Sequence, residues 1–283
     1  MAVLSSSRNL RVPPPDEREG DLERALRHHD LHELHSSDWL ERLDYRIRLA
    51  TVERLIRAST PRGAFVADVG CAQANQALLL SGLGYRVVAC DLRVGFLRYA
   101  ARKSAAGGPC LAAASGTELP LLDGATDVVL LGEILEHVAH PNEFLTEARR
   151  VLRPGGLLIA TTPNGGYRTS PLPTWSEARG HLEDYEARQF GPDGGDHLFL
   201  YTAGELNELL TQAGFTEVHV THYFAQLTAR LAGKSQTMRS WKRVSATLSP
   251  SVAFALALAD RAILSGPRRG ELANALIASG IRT

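Results

Sequence analysis

Two short runs carry the clearest chemistry in this chain. Val66-Ala67-Asp68-Val69-Gly70-Cys71 is an apolar strand entering a tight glycine turn, and Val87-Val88-Ala89-Cys90-Asp91 is a second apolar strand ending in a carboxylate. Glycine lets the backbone approach a ligand closely, and an acid closing the next strand can accept hydrogen bonds from two ribose hydroxyls; a doubly wound sheet builds a nucleoside site this way. Ala72 and Ala74 stand where such turns generally carry further glycines. A methyl forced against a ligand or into a left-handed backbone costs about 1–3 kcal/mol, roughly ten- to a hundredfold in affinity if nothing shifts.

The second constellation is Glu133-x-x-Glu136-His137, with His197 further along the chain. A helical turn would put Glu133 and His137 on one face with Glu136 adjacent. Two carboxylates and two imidazoles could hold a divalent cation such as Mg2+, which lowers the pKa of a substrate hydroxyl. Without a metal, His137 and His197 are the best candidates for base or substrate-orienting roles. His28, His29, His32 and His35 also have helical spacing that could suit a metal, but a solvated helix face accounts for them more simply. Asn164, after Thr161 and Pro163, could touch substrate or form an Asx turn before Gly165-Gly166.

From Ala64 onward the pattern alternates strand and helix, which predicts a parallel sheet with helices on both faces. Strands are expected at 64–69, 86–91, 109–113, 126–131, 156–162, 216–223 and 273–281, and helices at 74–82, 93–105, 141–152 and 203–213. Ligands in such sheets sit at the carboxyl ends of the strands. Gly70, Asp91, the stretch Ser115 to Leu119 and the stretch Gly132 to His137 all fall on that edge.

Residues 1–20, with Pro13-Pro14-Pro15 and a serine run, read as a disordered tail. A helical cap follows over 21–60: Asp21 to about Leu34, then a helix N-capped by Asp38 with Leu40, Leu43, Ile47, Leu55 and Ile56 near one face. Residues 61–283 form the main domain, with inserts at about 165–196 and 225–270. The first insert carries Tyr167, Trp175, His181, Tyr185 and Phe190, which suits a lid over an apolar or ring-bearing substrate or a small satellite core. The second joins basic residues to an apolar run, Val252 to Leu258, and is either a solvated face with a core helix or a peripheral membrane contact.

Lys plus Arg and Asp plus Glu are both 31, for a formal net charge of zero, so no global field attracts nucleic acid or an anionic membrane. The partner expected is a small molecule. Cys71, Cys90 and Cys110 lie in or beside apolar strands without metal-type spacing and read as buried thiols of a reducing cytosol. No apolar stretch is long enough to span a bilayer, so a cytoplasmic protein is expected.

Asp68-Val69-Gly70-Cys71, Cys90-Asp91-Leu92, Gly116-Thr117-Glu118-Leu119-Pro120, Glu133-Ile134-Leu135-Glu136-His137-Val138, Leu152-Arg153-Pro154-Gly155-Gly156 and Thr202-Ala203-Gly204-Glu205-Leu206 resemble, in order, the class I S-adenosylmethionine-dependent methyltransferases over about residues 60–225. The resemblance implies a Rossmann-like α/β fold, doubly wound, with a seven-stranded sheet whose last strand is antiparallel. It implies S-adenosylmethionine as cofactor. The backbone around Gly70, with Cys71 and Ala72, would face the aminoacyl part, Asp91 the ribose, and Ser115, Gly116 and Thr117 the adenine edge; Asp68 would orient the glycine loop or accept from the cofactor's ammonium, and Leu92 and Gly132 would also bind the cofactor. The Glu133, Glu136, His137 and His197 set resembles the metal site of small-RNA 2′-O-methyltransferases and of ubiquinone-pathway O-methyltransferases. Methyl transfer to a hydroxyl of a small molecule is the activity implied. Three other readings stay open: a methyltransferase-like fold that performs a non-methyl reaction or acts as a scaffold, because of Ala72 and Ala74; a metal-dependent RNA 2′-O-methyltransferase, opposed by the zero net charge; and a nicotinamide-dependent oxidoreductase, opposed by the Glu133 to Val138 and Arg153 to Gly156 motifs.

Overall fold

The computed structural model describes residues 10–16, 20–35, 39–104, 106–167, 170, 172–189, 197–224 and 269–283. A helical pair, α1 (Asp21–His35) and α2 (Trp39–Ser59), precedes the sheet. The alternating region follows as β1 (Phe65–Val69), α3 (Asn75–Gly82), β2 (Arg86–Asp91), α4 (Val94–Lys103), β3 (Cys110–Ala113) and β4 (Thr126–Gly132). A short 3-10 turn, Leu135–His137, leads to α5 (Pro141–Val151) and β5 (Leu152–Pro163). Then come α6 (Trp175–Ala178), α7 (Leu182–Gln189), α8 (Ala203–Gln212), β6 (Phe215–Phe224), α9 (Arg269–Leu272) and β7 (Ala275–Arg282).

The strands form one sheet in the order β3-β2-β1-β4-β5-β7-β6. β1 pairs in parallel with both β2 and β4, so chain direction along the sheet reverses at β1 and the ligand crevice opens there. β7 runs antiparallel to both β5 and β6, as the resemblance implied. Register aligns the ends that matter: Val69 lies beside Cys90 and Leu131, Asp91 beside Ala113, and Gly132 beside Thr161.

Near-continuous apolar runs make β1, β2 and β4 central strands, buried on both faces. One face packs Val129, Leu131, Leu145, Leu158 and Leu206 together. The other packs Val66, Leu80, Val128 and Ile159 against Val52 and Ile56 of α2. The buried stripe of α2 is Tyr45, Leu49, Val52 and Ile56, whereas Ile47 and Leu55, expected on that face, are half-buried. Leu10 is buried against Leu34, Tyr45, Leu49 and Leu79, so this part of the expected tail is docked on the cap.

Two sequence expectations are corrected here. Cys110 is exposed, not buried, because β3 is an edge strand with only one flanking partner; Cys71 and Cys90 are buried as expected. β5 begins at Leu152 rather than 156, because Thr126 pairs with Leu152 ahead of the irregular Arg153-Pro154-Gly155 stretch. Asp38, Phe190 and the insert region 225–268 lie outside the described residues, as do the side chains of His32, His35, Leu40 and Leu43.

The loop after β3 is pinned from α5. Glu147 accepts from the Leu119 amide at 2.6 Å, and Arg150 donates to the carbonyls of Leu119 and Leu121 while pairing with Glu147. This fixes Ser115 to Leu119 at the sheet edge. Gly116 is required there because an added Cβ would lie 2.1 Å from Phe144 Cε1 and 3.0 Å from Val69 Cγ1. Gly116→Ala is therefore expected to cost about 1–3 kcal/mol of stability, read from urea unfolding, since the ring must leave its packed position.

Candidate active site

A cavity of about 1050 Å3 opens over the carboxyl ends of the strands. Asp68, Gly70, Cys71, Ala72, Asp91, Leu92, Ser115, Gly116, Thr117 and Gly132 all line it, together with Glu133, His137 and His197. Of the residues singled out from sequence for the site, Glu136 and Asn164 do not reach the wall. The cap contributes Arg48 and His29, and α7 contributes Glu186 and Gln189.

The turn after β1 is built by backbone hydrogen bonds to β2: the amides of Gly70 and Cys71 both donate to the Cys90 carbonyl, at 2.8 and 3.0 Å. Gly70 has φ +71°, and a Cβ there would meet Ile134 Cδ1 at 2.8 Å. Ala72 and Ala74 also adopt left-handed backbone, with φ 43° and 55°. The alanine turn thus keeps the conformation that glycines favour, at a conformational cost of about 1–2 kcal/mol per residue. The Ala72 amide donates to Asp91 Oδ2 and the Arg93 amide to Asp91 Oδ1, each at 2.9 Å. An ionised carboxylate offers about four acceptor positions, so Asp91 retains capacity for hydroxyl donors from the cavity.

Asp68 is buried at the end of β1. Burial pushes its pKa up to about 7; the Ala77 amide and Arg48 act against that rise and the Asp91 carboxylate adds to it. Between the ordinary carboxylate range and that value the folded chain holds a proton that the unfolded chain has lost. This group's contribution to stability therefore falls as pH rises through that window and levels off above it. A ligand ammonium facing Asp68 would favour the ionised form. S-adenosylhomocysteine is accordingly expected to bind more tightly at about pH 8 than at about pH 6 and to release a proton at the lower pH; Asp68→Asn should flatten both trends. Calorimetry in buffers of different ionisation enthalpy reads the proton directly.

The second constellation forms differently from the helical turn expected. Glu133 takes a left-handed backbone, φ 53°, after its amide bonds to the Thr161 carbonyl at 2.9 Å. Its side chain turns to Arg48 of α2, 3.3 Å away. Glu136, His137 and His197 converge, with one ligand-type atom from each within 4.8 Å of the others. The rings of His137 and His197 stand edge to face, centroids 4.7 Å apart. His197 is brought there by pairing of the chain after it: the Leu198 amide donates to the Glu136 carbonyl at 2.8 Å, and Tyr201 Oη donates to the Leu135 carbonyl at 3.2 Å. Glu133, expected among the metal candidates, is left outside this cluster by its pairing with Arg48.

Glu136 is fully buried, and neither carboxylate oxygen makes a hydrogen bond of ordinary geometry. Burial, and then the Glu133 carboxylate, push its pKa well above the usual carboxylate range, with partial relief from the Thr162 side chain and Arg48. A buried acid without such a bond beside two imidazoles is a donor set that fits a divalent cation. It fits equally a neutral acid that holds an imidazole's surroundings dry.

Other expectations resolve plainly. Asn164 is buried, donates to the carbonyls of Gly270 and Ala273, and accepts from the Gly166 amide in an Asx turn, so it anchors α9 rather than facing the cavity. Trp175 and Tyr185 stack around Phe199, with centroids 4.9 and 5.9 Å away, and join the main core. His28 is exposed on α1, in keeping with a solvated face, whereas His29, though exposed, lines the cavity with its Nδ1 3.3 Å from Gln73 Nε2. Sequence reasoning missed Arg48, Thr161 and the buried acid Asp30. Asp30 had a signal: it falls on the buried stripe Leu26, Asp30, Leu34 of α1, where a carboxylate needs a buried partner.

A parallel sheet with an antiparallel β7, a nucleoside-type turn and an acid closing β2 define a class of cofactor-binding α/β domain. Residues 67–160 match the family described as a methyltransferase domain. The chain is 37% identical over 120 residues to a ubiquinone biosynthesis O-methyltransferase of Caulobacter sp. (strain K31), covering 41% of this chain and 48% of that one. It is 30% identical over 169 residues to an uncharacterized methyltransferase of Mycolicibacterium gilvum, covering 53% and 66%. The chain's matches thus span about half to two thirds of the length of these curated relatives. In fold, the crystal structure of a SAM dependent methyltransferase from Archaeoglobus fulgidus is similar, with a TM-score of 0.54 at 15% identity over 90% of this chain and 98% of that one. The methyltransferase-domain match over residues 67–160 and these relatives support a class I S-adenosylmethionine-dependent methyltransferase family for this chain.

Proposed function

We propose that the protein is a cytoplasmic methyltransferase that moves a methyl group from S-adenosylmethionine to a hydroxyl oxygen of a small molecule. One observation carries this reading: the residues suited to the cofactor and the His137 and His197 pair line a single cavity. The ubiquinone biosynthesis O-methyltransferase relative supports an oxygen acceptor. Zero net charge supports a small molecule over RNA. The left-handed turn at Ala72 and Ala74 supports cofactor use over a fold reused for other chemistry.

Gly70 and Ala72 would present backbone to the aminoacyl part, Asp68 would take its ammonium, Asp91 the ribose and Ser115 to Thr117 the adenine edge. When bound, the cofactor supplies an electrophilic methyl group on a sulfonium. The chain's task is then alignment and proton removal, and alignment by itself can remove several kcal/mol of barrier. His137 or His197 accepts the acceptor's hydroxyl proton as the oxygen becomes a nucleophile. In the alternative arrangement, with both imidazoles taken up as ligands, Glu136, His137 and His197 would hold a divalent ion, whose contribution would be to acidify that hydroxyl. No helix among the described residues is long and apolar enough to cross a membrane.

The test is transfer of labelled methyl from S-adenosylmethionine to a panel of phenols, amines and structured RNA, with Mg2+ or with a chelator. Label in a phenol supports the reading. Label only in RNA or amines replaces the acceptor class, and a chelator without effect removes the metal from the account.

A further inference from the structure

The strongest feature outside the described chemistry is a buried ion pair between the helical cap and α4. Asp30 of α1 and Lys103 of α4 pair with both side chains wholly inaccessible to solvent. Tyr99 Oη donates to Asp30 Oδ2 at 2.8 Å, and Asn75 Nδ2 donates to Asp30 Oδ1 and to Tyr45 Oη, both at 2.7 Å. Lys103 Nζ also donates to Asn75 Oδ1 and, at 3.1 Å, to the backbone carbonyl of Gln73. Gln73 lies between the two left-handed alanines.

Burying two charges is costly, and an apolar pair of similar volume would fasten the cap to α4 at least as firmly. What an apolar pair cannot do is donate to the Gln73 carbonyl and the Asn75 side chain. Glycine adopts the left-handed turn freely, whereas alanine has to be held there. We propose that Asp30 and Lys103 are positioning residues that lock the Ala72–Ala74 turn in its left-handed shape before the cofactor arrives, replacing conformational freedom that glycines would have supplied. The lock couples the cap to the cofactor turn. It rests on the reading that this turn binds S-adenosylmethionine.

The test measures S-adenosylhomocysteine affinity by calorimetry, with thermal unfolding of each variant alongside. D30N/K103M removes both charges together, so no lone charge is left buried. It is expected to weaken binding about tenfold, and adding A72G/A74G should bring affinity back to within about threefold of the native protein. A72G/A74G is also measured in the native background, and the proposal expects the two glycines to gain more affinity in the D30N/K103M protein than in the native one. A purely structural pair would give a D30N/K103M loss that the glycines do not recover, which overturns the proposal. Should D30N/K103M fail to fold, the apolar pair D30L/K103M takes its place and is read the same way: a loss of affinity that the glycines recover upholds the lock, and no loss, or a loss they do not recover, overturns it. A native protein that does not bind at all sinks the cofactor reading and the lock with it; native binding that D30N/K103M leaves intact sinks the lock alone.

Discussion

Asp91→Ala is expected to weaken S-adenosylhomocysteine binding by about a hundredfold, equivalent to about 2.7 kcal/mol. The carboxylate does two things at once. It accepts the Ala72 and Arg93 amides at 2.9 Å and so holds the turn against β2, and its remaining acceptor capacity faces the cavity. Hydrogen bonds to a charged acceptor contribute about 1.5–3 kcal/mol each, so losing the proposed ribose contact and loosening the turn together reach that size. Asp91→Asn keeps one oxygen but turns an amide donor toward donors, and it should fall between the two. Burial raises the Asp91 pKa, and the Arg93 and Ala72 amides work against that rise. Affinity within threefold of native in a folded Asp91→Ala protein would remove Asp91 from the ribose site.

The second large effect is catalytic. His137→Ala and His197→Ala are each expected to lower turnover of a hydroxyl acceptor by about 10²–10⁴-fold, the range of a positioned general base. S-adenosylhomocysteine affinity should stay within a few-fold, because neither imidazole belongs to the turn or to the Asp91 edge. The two variants separate base from ligand set. If one imidazole is the base, its loss is not rescued by added Mn2+ and the pH profile loses its rising limb. If both hold a metal with Glu136, the two variants and Glu136→Gln lose metal binding and activity together. Turnover unchanged in both histidine variants would leave the pair with a packing role alone.

Much of this site was legible in sequence because its signals are local. Asp68, Gly70 and Asp91 sit at strand ends marked by apolar runs, and the spacing of Glu136, His137 and His197 survives folding because the segment after His197 pairs with the Glu136 backbone. What was not legible depends on residues distant in the chain. Glu133 matched the ligand pattern, but a left-handed backbone and an arginine from the cap draw it away, and neither is written near residue 133. Gly116 looks like an ordinary loop glycine until the Phe144 ring is seen against it. Cys110 lies in an apolar run yet is exposed, since edge position is a property of strand order. The aromatic insert suggested a substrate-facing lid, and Trp175 and Tyr185 instead complete the core around Phe199, with α7 still contributing Glu186 and Gln189 to the cavity. Ala72 and Ala74 were legible as an anomaly, but their resolution required α1, α4 and the Lys103 contact to Gln73.

The first experiment is calorimetric titration of the native protein with S-adenosylmethionine and S-adenosylhomocysteine, with Mg2+ present and with a chelator. Binding in the micromolar range, tighter at higher pH and with proton release near neutrality, is the outcome expected for a left-handed alanine turn backed by Asp68 and Asp91. No heat at millimolar cofactor under either condition would mean that the turn, though correctly shaped, does not serve this cofactor, and that the fold is used for other chemistry.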